Sequence, residues 1–192
     1  MEALFISASV VALAEIGDKT QLLAFILAAR FKKPLPIIAG ILCATLVNHA
    51  LAGALGAWIT GAISGETLRW VLGASFIGMA FWTLIPDKVV DEETHAAKHL
   101  GVFGATLVTF FLAEMGDKTQ IATVALAAKF AEPYWVVAGT TLGMLIADVP
   151  AVYLGDRFAA RIPMKLVHSL AAGIFALLGV ATLAGAAKSL GI

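Results

Sequence analysis

The chain of 192 residues is 60% hydrophobic and 14% charged, with a formal net charge of +0 and a mean hydropathy of +0.94. Soluble domains sit near half apolar and a quarter charged, so this balance excludes an ordinary water-soluble domain and gives no electrostatic signal for nucleic acid. The single cysteine, Cys43, excludes an internal disulfide or a thiolate metal cluster and reads as an apolar packing residue.

A membrane-spanning helix needs about 20 mainly apolar residues. The first such stretch covers residues 3–30. It lacks a basic n-region and outruns a signal-peptide h-region, so a retained span is expected. No Arg-rich presequence precedes it, which points to a bacterial membrane. Lys32-Lys33-Pro34 leads into a second stretch at 35–59, and Gly61 to Gly65 leads into a third at 67–86. The polar segment Asp87 to His99 reads as a cytoplasmic linker. Three more stretches follow at 100–129, 134–156 and 164–188, parted by Glu132-Pro133 and by Arg157 to Pro163. The expected fold is an all-α integral membrane protein of six transmembrane helices. Residues 1–86 and 100–192 form two three-helix units, joined by the linker 87–99.

The two units are repeats. A shift of 99 positions lays Leu13–Phe31 over Leu112–Phe130 with 12 of 19 positions identical. The same shift pairs Pro34 with Pro133, Gly40 with Gly139, Ala52 with Ala151 and Gly56 with Gly155. Three spans per unit is an odd number, so the second unit is expected to be inverted relative to the first, a plan used by secondary transporters. Loop Lys and Arg residues divide eight to three. Arg30, Lys32, Lys33, Lys88, Lys98, Arg157, Arg161 and Lys165 fall on one face; Arg69, Lys129 and Lys188 fall on the other. Positive charge stays inside, so both termini are expected outside. Trp58, Trp70, Tyr134 and Trp135 gather near the sparsely charged face, as an interfacial belt does. Glu66 and Arg69, and likewise Asp156, Arg157 and Arg161, read as charges at span ends.

Two blocks break the apolar pattern: AEIGDKTQ at residues 14–21 and AEMGDKTQ at 113–120. On continuous helices Glu15 and Asp18 would face one side, with Lys19 one turn beyond Glu15, and Glu114, Asp117 and Lys118 would repeat this. Both blocks lie near the middle of their spans, where a charge costs about 2.5–3.5 kcal/mol. Gathered around one axis, the groups could share a polar cavity. Four carboxylates and two lysines leave −2, which one divalent cation neutralises. Oxygen ligands, with the Gln21 and Gln120 amides as possible additions, suit a hard ion such as Mn²⁺, Ca²⁺ or Mg²⁺. Met115 is Ile16 in the other block and reads as packing. Gly17 and Gly116 permit either local unwinding or close helix packing.

The twin E-x-G-D-[KR]-[ST] motifs, Glu15 to Thr20 and Glu114 to Thr119, resemble the Golgi calcium/manganese transporter family and its bacterial manganese exporters. The resemblance covers nearly the whole chain. It implies export of a divalent cation from the cytoplasm, Mn²⁺ above Ca²⁺, with Glu15, Asp18, Glu114 and Asp117 as metal ligands and protons as the exchange partner. The ion is cargo, and no resident cofactor or catalytic residue is expected.

Further polar groups sit in the second span of each unit: Asn48 and His49 in one, Asp148 in the other, with His49 overlaying Asp148. Asp148 is a candidate for the site wall or a proton relay. His49 is a ligand or titrating group, or a histidine bonded to a neighbour. Asn48 could add an amide oxygen. On a continuous helix Thr20 and Thr119 lie well round from Glu15 and Glu114, so bonds to backbone or to another helix are expected. Asp91-Glu92-Glu93-Thr94-His95 reads as a solvated connector. Two other classes stand beside transport: an intramembrane hydrolase built on Asp18 and Asp117, and a structural subunit clamped by ion pairs.

Overall fold

The structure, a computed structural model, describes residues 1–85, 100–154 and 164–185. Linker residues Asp91 to His95 and the charges Lys88, Lys98, Asp156, Arg157, Arg161 and Lys188 lie outside these, as does Gly155. Within the described residues the chain is all helical. The helices are α1 (Glu2–Glu15), α2 (Lys19–Phe31), α3 (Pro34–Ala62), α4 (Gly65–Thr83), α5 (Val102–Glu114), α6 (Lys118–Phe130), α7 (Pro133–Leu154) and α8 (Met164–Leu183).

Three helices, α3, α7 and most of α8, are long and apolar enough to cross a membrane, and α5 is a shorter apolar helix. Helix α3 shows why such an element belongs in lipid. Its exposed residues, Leu42, Leu46, Leu51 and Leu55, are as apolar as its buried ones, Ile37, Ile41, Ala44 and Ala52. A helix apolar all round has no face that prefers water.

Residues 3–30 and 100–129, expected as single spans, are each two half-helices. The break falls at Ile16–Asp18 in one and at Met115–Asp117 in the other. Local chemistry also sets the remaining joints. Lys32 (φ 54°) and Ala131 (φ 53°) end α2 and α6 in the left-handed conformation. Pro34 and Pro133 then begin α3 and α7, where a missing N–H costs nothing. Ser64 caps α4 by accepting the Thr67 N–H.

The two units interlock through small residues. A methyl added at Gly139 of α7 would fall on the Leu4 carbonyl oxygen, and one at Gly143 would stand 2.6 Å from the Ala8 carbonyl oxygen. Helix α1 therefore packs directly against the α7 backbone. The equivalent pair, α3 and α5, meets at Gly40, where an added methyl would stand 2.7 Å from Thr106 Cβ and 2.9 Å from the Phe103 carbonyl oxygen. Each unit's first helix thus packs on the other unit's long helix. Helices α4 and α8 cross at Gly73 and Gly179. Beneath these crossings lie two apolar clusters, one around Phe76, Leu126 and Phe175, the other around Ile37, Ile41 and Phe110.

Candidate intramembrane carboxylate site

Each motif is a turn that stops one helix and starts the next. Ile16 has φ −62° and ψ 115°, Gly17 has φ 86°, and the Asp18 N–H donates to the Glu15 carbonyl at 3.0 Å. These are type II β-turn values, and the third residue of that turn needs positive φ, hence glycine. The second motif repeats them: Met115 has φ −66° and ψ 117°, Gly116 has φ 79°, and Asp117 N–H donates to the Glu114 carbonyl at 3.2 Å.

The rest of each motif secures that turn. Asp18 is the N-cap of α2, and its Oδ1 accepts from the Lys19 N–H at 2.8 Å. Gln21 reaches back so that Oε1 accepts from the Gly17 N–H at 2.9 Å, and Gln120 does the same for Gly116 at 2.8 Å. This is a capping box displaced by one residue. It also occupies one lone pair on each of the Gln21 and Gln120 amide oxygens, the groups offered as additions to the ligand set. Thr20 Oγ1 donates to Glu15 Oε2 at 2.6 Å, and Thr119 Oγ1 to Glu114 Oε2 at 3.0 Å. A continuous helix would have kept each threonine away from its glutamate. The turn instead folds the start of the new helix back over the end of the old one. Glu15 and Asp18 likewise do not share a helical face; they converge because two helix ends meet.

The lysines cross between the units. Lys118 Nζ lies 3.0 Å from Asp18 Oδ2, with the side chains 3% and 0% exposed, and Lys19 Nζ lies 3.7 Å from Asp117 Oδ1, with the side chains 22% and 3% exposed. The arrangement is therefore unequal: one pair is short and sealed, the other longer and partly open.

Between these pairs, one oxygen each from Glu15, Glu114 and Asp117 lie within 4.8 Å of one another, all three residues buried. Oxygens bound to one hard cation at about 2.0–2.6 Å stand no more than about 5 Å apart, so this spacing suits a single ion. Glu15 Oε1 and Glu114 Oε1 have no hydrogen-bond partner, although buried carboxylate oxygens are normally satisfied.

Helices α3 and α7 wall the centre. Gln21 Nε2 donates to the Ala147 carbonyl at 2.9 Å, beside Asp148. Gln120 Nε2 donates to Asn48 Oδ1 at 3.5 Å, beside His49, and Asn48 Nδ2 donates to the Phe111 carbonyl at 3.1 Å. Asp148 is fully buried with neither oxygen hydrogen-bonded. His49 is buried with no partner at either ring nitrogen, so the neighbour bond allowed for it is not made.

An apolar helical bundle with carboxylates and lysines sealed at its broken helices is a membrane protein with a polar centre, the class in which ion carriers fall. The family model described as "Divalent cation/proton antiporter GDT1" matches residues 3–91 and 102–190, the two stretches offset as the two motifs are. The chain belongs to this GDT1 family of divalent cation/proton antiporters. It is 52% identical over 183 residues to a Vibrio cholerae protein named "Putative manganese exporter", covering 95% of this chain and 90% of that one. It is 30% identical to "GDT1-like protein 3" of Oryza sativa subsp. indica, covering 91% of this chain and 71% of that one. Arabidopsis thaliana "GDT1-like protein 3" is 27% identical, covering 91% and 68%. No solved structure matches the chain significantly. The family carries cations and is not a family of enzymes, so the hydrolase alternative falls.

Proposed function

We propose that this chain exports a divalent cation, manganese in preference to calcium, in exchange for protons, and that Glu15, Glu114 and Asp117 hold the ion in the described conformation. The observation that carries this is the three-carboxylate cluster, whose spacing suits one hard cation. The lysines divide the charges: Lys118 faces Asp18 and Lys19 faces Asp117. That leaves Glu15 and Glu114, together −2, to take either one divalent ion or two protons. An electroneutral exchange of two protons per metal ion follows. Asp148 is the proposed relay between this centre and the α7 side, and His49 its counterpart on α3.

The units are proposed to be inverted repeats making six spans, with both termini outside and the linker in the cytoplasm. Their unequal lysine pairs support an alternating-access cycle. In the opposite-facing state the inequality is exchanged: Asp117 is sealed by Lys19, and Asp18 joins the glutamates around the ion. The relative named as a manganese exporter supports the choice of cargo.

Purified protein in liposomes, assayed with Mn²⁺, Ca²⁺ and Mg²⁺ under an imposed pH gradient, tests the whole reading. Expected are Mn²⁺ flux that follows the gradient and its loss, at least tenfold, in Glu15→Gln and Asp117→Asn. Folded variants that transport at the wild-type rate would remove these acids from the site. Flux indifferent to the gradient would remove the protons.

A further inference from the structure

A second polar feature lies far from the acids, at the face where α1 begins. The first turns of α4, the last turn of α6 and the end of α8 enclose a cavity of about 450 Å³. Arg69 of α4 and Lys129 of α6 line it, together with Thr182 of α8, Gly185 just beyond it and the apolar Leu68 and Leu72. The sequence alone makes Arg69 a surface charge at a span start; the fold turns it into a wall of this cavity.

The two cations are poorly compensated. Among the described residues neither has a carboxylate within 4.0 Å. Arg69 Nε is buried with no hydrogen-bond acceptor, and the guanidinium carbon stands over the Trp70 ring, 5.7 Å from its centroid. Lys129 Nζ donates to Thr182 Oγ1 at 3.2 Å, a neutral oxygen that itself donates to the Leu178 carbonyl at 2.6 Å. Glu2 is the acid whose charge reaches Lys129, yet it makes no ion pair with it. Two like charges sharing one cavity call for an anion between them.

Depth indicates which anion. The cavity sits where α4 begins and α6 and α8 end; the exposed Trp70 stands in the same first turns of α4, and the exposed Tyr134 and Trp135 open α7 directly after α6. Aromatic belts mark the headgroup layer, where phosphodiesters are the abundant anion. A guanidinium fork, an ammonium and a hydroxyl are the donors that phosphate oxygens take. The volume exceeds what a bare phosphate fills, and Leu68 and Leu72 provide an apolar side for the rest of a lipid.

We propose that Arg69, Lys129 and Thr182 form a binding site for a phosphate-bearing anion, occupied by an anionic phospholipid headgroup. The site joins α4 of the first unit to α6 and α8 of the second. Because α6 begins at Asp117 and Lys118, a lipid held at its far end braces the half-helix that carries half of the acidic centre. The site stands whether or not the chain carries manganese.

The test uses the delipidated full chain in neutral detergent, titrated with phosphatidylglycerol, phosphatidylcholine or inorganic phosphate. Bound lipid is read by native mass spectrometry and stability by thermal unfolding. Expected is retention of phosphatidylglycerol in preference to phosphatidylcholine, with a rise in Tm. Arg69→Gln with Lys129→Gln should weaken that retention at least tenfold, whereas Lys32→Gln with Lys33→Gln on the opposite face should leave it unchanged. If the double variant does not fold, Leu68→Trp, which fills the cavity and keeps both charges, should weaken retention similarly. Stabilisation by inorganic phosphate without lipid retention would assign the same site to free phosphate. Equal binding of the two lipids, or wild-type retention in the folded variants, would overturn the proposal.

Discussion

Replacing Lys118 with methionine tests whether the lysine occupies the place of a cation. Lys118 and Asp18 are 3.0 Å apart and almost wholly buried. At an effective dielectric constant of about 20 their attraction is about 5–6 kcal/mol before desolvation. Removing one partner of a buried pair costs about 3–5 kcal/mol because the other charge is left uncompensated. Metal-free Lys118→Met should therefore be less stable by about 3 kcal/mol. The site also changes from −2 to −3, so a divalent ion can supply the missing charge. At a Mn²⁺ concentration of about 100 Kd, wild type gains about 2.7 kcal/mol from binding. A tenfold rise in affinity brings the variant's gain to about 4.1 kcal/mol at the same concentration. Asp18→Asn should do the opposite, removing the counter-charge that faces the lysine and shrinking the metal-dependent gain. The double variant, neutral on both sides, should recover most of the metal-free stability. Thermal unfolding of purified protein across a Mn²⁺ series measures all four corners. A metal-dependent gain in folded Lys118→Met no larger than that of wild type would refute the idea that the lysine stands in for the ion.

Gly116 has φ 79° and open space around an added methyl, so Gly116→Ala should destabilise by about 1–2 kcal/mol through backbone strain alone. Gly173→Ala, equally unobstructed but helical, should be neutral or stabilising by up to about 1 kcal/mol; equal Tm shifts for the two would contradict the turn geometry. At Gly139, valine would drive its side chain into the α1 backbone and should lower stability by about 1–3 kcal/mol or more, measured as a fall in Tm and as lost expression of folded protein. Thr20→Val removes the hydroxyl that donates to Glu15 at 2.6 Å. Hydrogen bonds to charged groups are worth about 1.5–3 kcal/mol, so Mn²⁺ flux should fall severalfold while the fold survives; undiminished flux would show that the hydroxyl does not position the glutamate.

Much of this protein could be read without coordinates because the informative physics was local. Apolar residues all round the α3 segment, Leu42 to Leu55 among them, already require lipid. Within each eight-residue motif, glycine two positions after glutamate, aspartate next and glutamine three further on are the marks of a type II turn feeding an N-cap. The glycines left local unwinding and close packing both open, and apolar periodicity on both sides hid which one holds, because the turn is only two residues long. What composition and spacing could not supply was partnership across distance. Lys118 meets Asp18, Gln21 meets the Ala147 carbonyl and Glu15 meets Glu114 only because the two units interlock through bare glycine backbone. Local preferences act over one or two turns of chain, whereas these contacts join residues about a hundred positions apart. Only the packed bundle sets their distances, and with them which charges cancel and which await an ion.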